Sequence, residues 1–407
     1  MPAPPDSPMP APPDSPMHDA SPGIAAPPDP GSLRTVRLCL LGFGNVAREF
    51  CALLARQERA LADGHGLRVL VTAVGTRHGS LLAPDGMSGG AVLEAAGLGP
   101  ASGTPVSAAD APVAAASFRP TLPDPARPAA DLLAAARADV LVELTVMESN
   151  GAPVATAHIE SAFALGMDVV TANKGPIAWS WPRIAELAHD TGRRIRFEST
   201  VMDGLPVFSL LELTLPDCQL LGFEAVFNST TNFMIDAMSE GVSFSDALAH
   251  AQADGYAEAD PAHDIDGWDA ACKAAALANV AMDARITPAD IERQSLRDVP
   301  LERIGQARAE GKRLRLVTTV WRALADEGTA GPAAPAGPAT PAGPVHGRLE
   351  ARELTIDHPL ASLGDESLGV ILHTDLMGDV FVAELGALVP QTAYGVYADL
   401  VHLCRTR

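Results

Sequence analysis

The sequence predicts a two-part α/β protein, a doubly wound parallel sheet followed by a mixed α+β domain. Three observations carry this. Short apolar runs at residues 35–41, 67–74, 140–145 and 168–171 have the length of buried strands, and helical spacing lies between them. The first run passes directly into a helix through Gly42-Phe43-Gly44-Asn45-Val46-Ala47. Beyond Gly204 the alternation of strand and helix ends and helices follow one another.

In chain order, residues 35–41 (TVRLCLL) read as a strand ending at Gly42, and 46–54 as the helix after it. Residues 67–74, 140–145 and 168–171 are further strands, with helices at 129–137 and 152–165. Strands alternating with helices imply a parallel sheet covered on both faces. Residues 84–128 are rich in Ala, Pro and Gly and yield no assignment. In the second part, 220–228 reads as a strand and 232–239, 245–254 and 267–281 as helices, while 314–320 and 370–385 show strand-like alternation. A final helix covers 392–403, and periodicity does not say where it packs.

With 50 Asp and Glu against 29 Lys and Arg, the 407-residue chain carries a formal charge of -21, which repels phosphate backbones and anionic membranes. Nucleic acid is therefore not an expected partner. No apolar run approaches the ~20 residues that span a bilayer, and no secretory leader is expected, so the expected location is cytoplasmic. The five cysteines, Cys39, Cys51, Cys218, Cys272 and Cys404, form no Cys-x-x-Cys pair and are expected to be buried thiols. Residues 1–32 repeat MPAPPDSP and are expected to be a disordered tail, and 328–347, a Pro/Ala/Gly tract, a flexible loop.

The turn at Gly42 is Gly-x-Gly-x-x-Ala between strand and helix, a Rossmann-type context for a dinucleotide. Glycine lets the backbone turn tightly and approach a pyrophosphate, whose charge then rests on a helix N-terminus. Gly42, Phe43, Gly44, Asn45 and Val46 are the candidate cradle. After the second strand comes Val74-Gly75-Thr76-Arg77-His78-Gly79-Ser80, without the carboxylate that would hold a ribose 2′-hydroxyl. Arg77, with Ser80, suits a 2′-phosphate, so NADP is expected ahead of NAD.

Thr171-Ala172-Asn173-Lys174-Gly175 follows a strand, where open α/β sheets bind ligands, and Lys174 is expected to face the cofactor crevice. Residues 255–273 (GYAEADPAHDIDGWDAACK) are densely acidic and then meet one lysine. Calcium-loop spacing fails, because aligning Gly267 with the invariant glycine puts Ala262 first and Lys273 last. From Trp268 the segment reads as an Ala-rich helix with Asp269 and Lys273 four apart on one face. In apolar surroundings a carboxylate orients such a lysine, which then exchanges a proton with a hydroxyl.

Four separated motifs together resemble the homoserine dehydrogenase family: TANKG at 171–175, ESTVMDGLP at 198–206, NSTTNFM at 228–234, and GYAEADP with DIDGWD and Lys273. The resemblance runs from about Val36 onward. It implies NAD(P)-dependent interconversion of L-homoserine and L-aspartate 4-semialdehyde, a step of threonine and methionine biosynthesis. It also implies Lys273 as proton carrier, Lys174 between nicotinamide and substrate, Glu258 and Asp269 on the substrate, and Thr145 and Gly255 on the cofactor. A monovalent cation such as Na+ would map onto Glu198, Val201, Asp203 and Leu205. By the same resemblance, residues 33–200, completed by a helix at 390–407, form the nucleotide-binding domain. Residues 201–389 then form the substrate domain, which also makes a homodimer or larger homo-oligomer.

The sequence departs from the family where Ser229 replaces a glycine. Glu384-Leu385-Gly386-Ala387-Leu388 likewise stands for a Gly-Pro-Gly-Ala-Gly turn near the nicotinamide, keeping Gly386 as the candidate cofactor contact. The chain stops soon after Tyr397-Ala-Asp-Leu400, so no regulatory ACT domain or aspartate kinase is expected. Two alternatives stay open: a dehydrogenase of another amino or hydroxy acid, and a redox-silent nucleotide sensor.

Overall fold

The computed structural model describes residues 33–98, 122–148, 151–254, 256–257, 260–323, 343–364, 366–386 and 388–405. The expected tail at 1–32 lies outside them. Two six-stranded sheets organise the chain. The first contains β1 (Arg34–Leu41), β2 (Leu67–Gly75), β3 (Ser80–Met87), β4 (Val140–Glu143), β5 (Asp168–Thr171) and β6 (Ile195–Arg196), in the order β3-β2-β1-β4-β5-β6.

Along β1 the two-residue period sends Leu38 and Leu40 to one face and Cys39 and Leu41 to the other. The first pair lies in a core with the helices Asn45–Arg56, Gly89–Ala95 and Val389–Arg405. The second pair lies in a core with Ala129–Ala136, Pro153–Ala164 and Lys174–Thr191. Burial on both faces is why the central strand reads as a continuous apolar run.

The sheet is parallel except at one edge, which corrects the expectation of a wholly parallel sheet. β3 returns antiparallel to β2, pairing Gly75 with Ser80 and Val74 with Leu81. Pro84 lies inside β3 and argues against a strand in the sequence. An edge strand tolerates it, because one side of the strand has no ladder to fill.

The second sheet contains β7 (Leu220–Val226), β8 (Ile291–Arg293), β9 (Lys312–Arg322), β10 (Val345–Thr355), β11 (Leu368–Thr374) and β12 (Gly378–Glu384). Its order is β12-β11-β7-β9-β10-β8, antiparallel apart from the β10–β8 pair. The flexible loop expected at 328–347 ends sooner than that, since β10 begins at Val345 and pairs with Arg322. Residues 328–342 lie outside the described set.

One face of this sheet, through Phe223, Ala225, Leu314 and Leu316, packs on the helices Ser229–Ser239, Phe244–Ala253 and Trp268–Met282. The Ala-rich Trp268–Met282 helix also packs on Lys174–Thr191 from the first sheet. Small side chains at Ala270, Ala271, Ala274, Ala275 and Ala278 allow that close approach. Asn279 stitches the contact, donating to the carbonyls of Ala178 at 3.2 Å and Ile286 at 2.8 Å. The last helix returns to the first sheet and lies along Asn45–Arg56.

Candidate active site at the joint between the sheets

β1 ends at the glycine turn. Gly42 has φ +92°, and a Cβ there would overlap the Leu144 carbonyl that follows β4. Glycine is required at this point by the backbone itself, since L side chains rarely adopt that conformation. Gly44 differs, because a Cβ there would meet nothing within 4 Å. It precedes the Asn45–Arg56 helix, where no side chain caps the first turn, so the free N–H groups face open space suited to a phosphate. Phe43 is buried and holds the turn, while Asn45 is exposed.

Across from Gly42, Thr145 is fixed by a buried carboxylate. Glu143, at the end of β4, accepts from the Thr145 amide at 3.3 Å, from the Thr145 hydroxyl, and from Thr171 at 3.4 Å. Asn173 then donates to the Thr145 carbonyl at 3.1 Å while its own Oδ1 caps the Gly175 amide at 3.0 Å. That cap starts the helix at Lys174 and sets its side chain at the carboxyl edge of the sheet.

Lys174 reaches Asp269 at 2.9 Å, and Lys273 reaches the other oxygen of the same carboxylate at 3.2 Å. Lys273 also donates to the Phe227 carbonyl at 2.6 Å, just past β7. Asn228 Nδ2 ties the group together, 2.8 Å from Asp264 and 3.1 Å from Asp269. Burial works against ionising Asp269, but Lys174 and Lys273 overcome it and hold the carboxyl well below its ordinary range. Burial likewise works against charge on Lys174, and Asp269 outweighs it, raising the ammonium above its usual value. Asp264 is pushed up by burial and by the Asp269 charge. A carboxylate clamped between two cations, with a neighbour disposed to hold a proton, suits proton exchange with a bound hydroxyl.

The Asp269–Lys273 spacing on one helix face is as the sequence implies, and Lys174 joins it from the other sheet. Sequence reasoning names Asn228 and Asp264 only as members of the motifs NSTTNFM and DIDGWD. Their signal is the Asn228 side chain reaching across to the Ala262–Ile265 helix, which no spacing encodes. Glu258 and Gly255 lie outside the described residues. Arg77 is exposed in the β2–β3 turn, free to meet a ligand. Ser80 is not: it is buried, and its hydroxyl donates to the Pro125 carbonyl at 2.7 Å, so the expected pairing of Ser80 with Arg77 is corrected.

Glu198, Val201, Asp203 and Leu205 share one turn. The Glu198 carboxylate is taken by the amides of Phe208 at 2.7 Å and Ser209 at 2.9 Å and by the Ser209 hydroxyl. The Leu205 carbonyl already accepts from Val207 at 2.9 Å. Among the described residues no group of three His, Cys, Asp or Glu side chains could hold a metal ion. Gly386, with φ +83°, lies in the turn between β12 and the last helix. Beside it Glu384 is 9% exposed, and burial together with Asp203 pushes its carboxyl up to about 7, with Lys273 acting the other way.

The homoserine dehydrogenase family model matches residues 206–401, and the model for the NAD-binding domain of homoserine dehydrogenase matches residues 42–198. The chain is 30% identical over 369 residues to the NAD(+)-dependent homoserine dehydrogenase of Pseudomonas canavaninivorans, covering 90% of this chain and 96% of that one. It is 29% identical over 381 residues to the Mycobacterium tuberculosis homoserine dehydrogenase, covering 93% and 74% of the two chains. A hyperthermophilic archaeal homoserine dehydrogenase solved with NADPH superposes with a TM-score of 0.68 at 25% identity, over 92% of this chain and 99% of that one. The Thiobacillus denitrificans homoserine dehydrogenase, at 24% identity and TM-score 0.72 over 92% and 74% of the two chains, shares the fold. Matched over most of its length by the two family models, and 30% identical to a homoserine dehydrogenase over 90% of its own residues and 96% of that chain, the chain belongs to the homoserine dehydrogenase family.

Proposed function

We propose that this chain interconverts L-homoserine and L-aspartate 4-semialdehyde with NAD(P), and that its chemistry centres on Lys174, Asp269 and Lys273. The observation that carries this reading is the single Asp269 carboxylate holding both lysines at 2.9 and 3.2 Å. Bound NAD(P) supplies the hydride acceptor or donor, so the protein needs no strong nucleophile of its own. Lys273 holds the reacting oxygen; on oxidation it enters as the neutral amine and takes the hydroxyl proton to become the ammonium, and on reduction the ammonium gives that proton to the new hydroxyl. Lys174 binds the substrate carboxylate or shares the proton, and Glu258 with Asp269 receives the substrate ammonium. Gly42 to Val46, Thr145 and Gly386 line the cofactor path, and the family resemblance adds Gly255 as a cofactor contact. A monovalent cation such as Na+, which the family resemblance implies, would be held at Glu198, Val201, Asp203 and Leu205.

Arg77 supports NADP, as an exposed guanidinium at the end of β2. A specific observation favours NAD as the second reading: Ser80 is buried and spent on Pro125, leaving Arg77 without that hydroxyl. The NAD(+)-dependent Pseudomonas relative points the same way. We place the domain boundary near residue 200, with the last helix completing the first domain. A homodimer formed through the second sheet is supported by β12, an edge strand with exposed Phe381 and with exposed Leu376, Met377 and Leu385 at its ends. A cytoplasmic location agrees with five cysteines none of which is in a disulfide.

The test follows absorbance of NADPH and NADH with homoserine and with aspartate semialdehyde, in wild type and in Lys273→Ala. Wild type turns over both compounds, and the variant loses about 10²–10⁴-fold in kcat while still binding cofactor. A wild type that binds cofactor and turns over neither compound overturns the reading. A fully active Lys273→Ala overturns only the assignment of the proton carrier.

A further inference from the structure

The β4 strand reads Val140-Leu141-Val142-Glu143: three residues that fill the two cores of the first sheet, then a carboxylate with no exposed surface. Burying a charge costs free energy unless donors surround it, and an apolar side chain in this place would avoid that cost. Donors do surround it. Glu143 Oε1 accepts from the Thr145 amide at 3.3 Å and from the Thr145 hydroxyl, and Nδ1 of His158, on the Pro153–Ala164 helix, lies 3.4 Å from the same atom. The Thr171 hydroxyl donates to Glu143 Oε2 at 3.4 Å and to the Glu143 carbonyl at 3.0 Å. Three segments of the first sheet and its helices thus meet on one carboxylate.

Two of these segments lead to the two proposed ligands. On the dinucleotide side, Thr145 adjoins the glycine turn: a Cβ on Gly42 would overlap the Leu144 carbonyl and stand 2.7 Å from the Thr145 nitrogen, so the candidate cradle rests on this peptide. On the substrate side, the Thr171 hydroxyl accepts from the Asn173 amide at 2.9 Å, and Asn173 Nδ2 donates to the Thr145 carbonyl at 3.1 Å. Asn173 Oδ1 then caps the Gly175 amide at 3.0 Å, in the first turn of the helix whose Lys174 meets Asp269 at 2.9 Å. One hydrogen-bonded chain, Thr145–Glu143–Thr171–Asn173, therefore runs from the cradle to the lysine. A shift of the Thr145 peptide disturbs the cap of the lysine helix, and the reverse.

We propose that Glu143 is a positioning residue through which NAD(P) and homoserine strengthen each other's binding. The inference rests on the dehydrogenase reading. With no exposed surface, Glu143 touches neither ligand and acts through Thr145 on one side and through Thr171 and Asn173 on the other. A dinucleotide seated on Gly42–Val46 and Thr145 sets the Thr145 peptide, Glu143 passes that setting to the Asn173 cap, and the cap aims Lys174. Linkage makes the effect reciprocal, so the factor by which homoserine raises dinucleotide affinity is the factor by which the dinucleotide raises homoserine affinity.

Homoserine and NAD(P)H are both reduced partners of the reaction, so they bind together without turnover and calorimetry reads the coupling directly. Kd for NAD(P)H is measured with and without saturating homoserine in wild type, Glu143→Leu, Glu143→Gln and Thr171→Val. The last leaves Thr145 on the carboxylate and cuts the link to Asn173. In wild type, homoserine lowers Kd about tenfold, within the ordinary range of coupling between sites. Glu143→Leu and Thr171→Val each bring that ratio to about one, and the double variant adds nothing further. Glu143→Gln keeps an acceptor for Thr145 and a polar group facing Thr171, and restores part of the ratio. If Glu143→Leu does not fold, Thr171→Val and Glu143→Gln carry the test. Variants that lower the melting temperature and keep the wild-type ratio overturn the inference, leaving Glu143 a role in stability alone and the coupling to direct contact between the ligands. A wild type that turns over homoserine with no coupling also overturns it, and leaves the dehydrogenase reading intact. A wild type that binds dinucleotide and turns over neither homoserine nor the semialdehyde overturns both.

Discussion

Lys174 and Asp269 meet at 2.9 Å across the joint between the two sheets, the first from a helix capped by Asn173 and the second from the start of the Trp268–Met282 helix. The ion pair therefore fixes the helix that follows β5 and the helix packed on the second sheet relative to each other, at the site proposed for the chemistry. Removing its negative member leaves two largely buried ammonium groups without compensation.

Asp269→Asn is therefore expected to lower stability by about 3 kcal/mol, as when one partner of a buried pair is lost. Turnover should fall as well, while cofactor affinity changes little. Urea unfolding monitored by circular dichroism checks the first expectation and steady-state kinetics the second. If both are as in wild type, Asp269 is not the clamp.

The two glycines of the β1 turn should separate. Gly42→Ala meets the Leu144 carbonyl at a positive φ and is expected to lose about 2 kcal/mol or more of stability. Gly44→Ala enters open space and should stay within about 0.5 kcal/mol of wild type, yet bind cofactor more weakly because its methyl occupies the phosphate's approach. Thermal melts with and without NAD(P)H resolve the two cases.

Arg77→Ala should raise KM for NADPH by about tenfold and leave KM for NADH unchanged if Arg77 meets a 2′-phosphate. Equal effects on both coenzymes would favour the NAD reading instead.

Asp399 supplies a pH dependence. It is buried and accepts the Glu198 amide at 2.8 Å, and burial first, with the Glu198 charge adding, pushes its carboxyl from the ordinary 3.8 up to about 8. The folded state thus holds this proton more tightly than the unfolded chain. Its contribution is fully present below the ordinary value and is lost as pH rises toward about 8. Asp399→Asn removes the titration, so its melting temperature should match wild type near the acid end of that window and exceed it increasingly toward the alkaline end. A constant difference across the range would sink the assignment.

The fold was legible where burial imposes a period. Leu38 and Leu40 against Cys39 and Leu41 mark a strand covered on both sides, and Asp269 with Lys273 mark one helix face. β3 escaped because Pro84 contradicts a strand in the sequence, and only an edge position excuses it. The candidate site was legible in its helical half and illegible in its loops. Asn228 reaches Asp264 and Asp269 from a strand end, and Glu143 holds Thr145 across a turn, contacts set by where the backbone stops, which no periodicity records. Ser80 shows the converse error. Beside Arg77 in sequence, it is drawn into the interior because β3 folds back on β2.

The helix Val389–Arg405 completes the core of the first sheet after the whole second sheet has been made. During synthesis the nucleotide half must therefore wait, with the face over Phe50 and Cys51 uncovered, until its partner has been threaded through. Folding of the two halves is interlocked in time, and a chain interrupted before residue 389 would leave exposed apolar surface on a half that is otherwise fully translated.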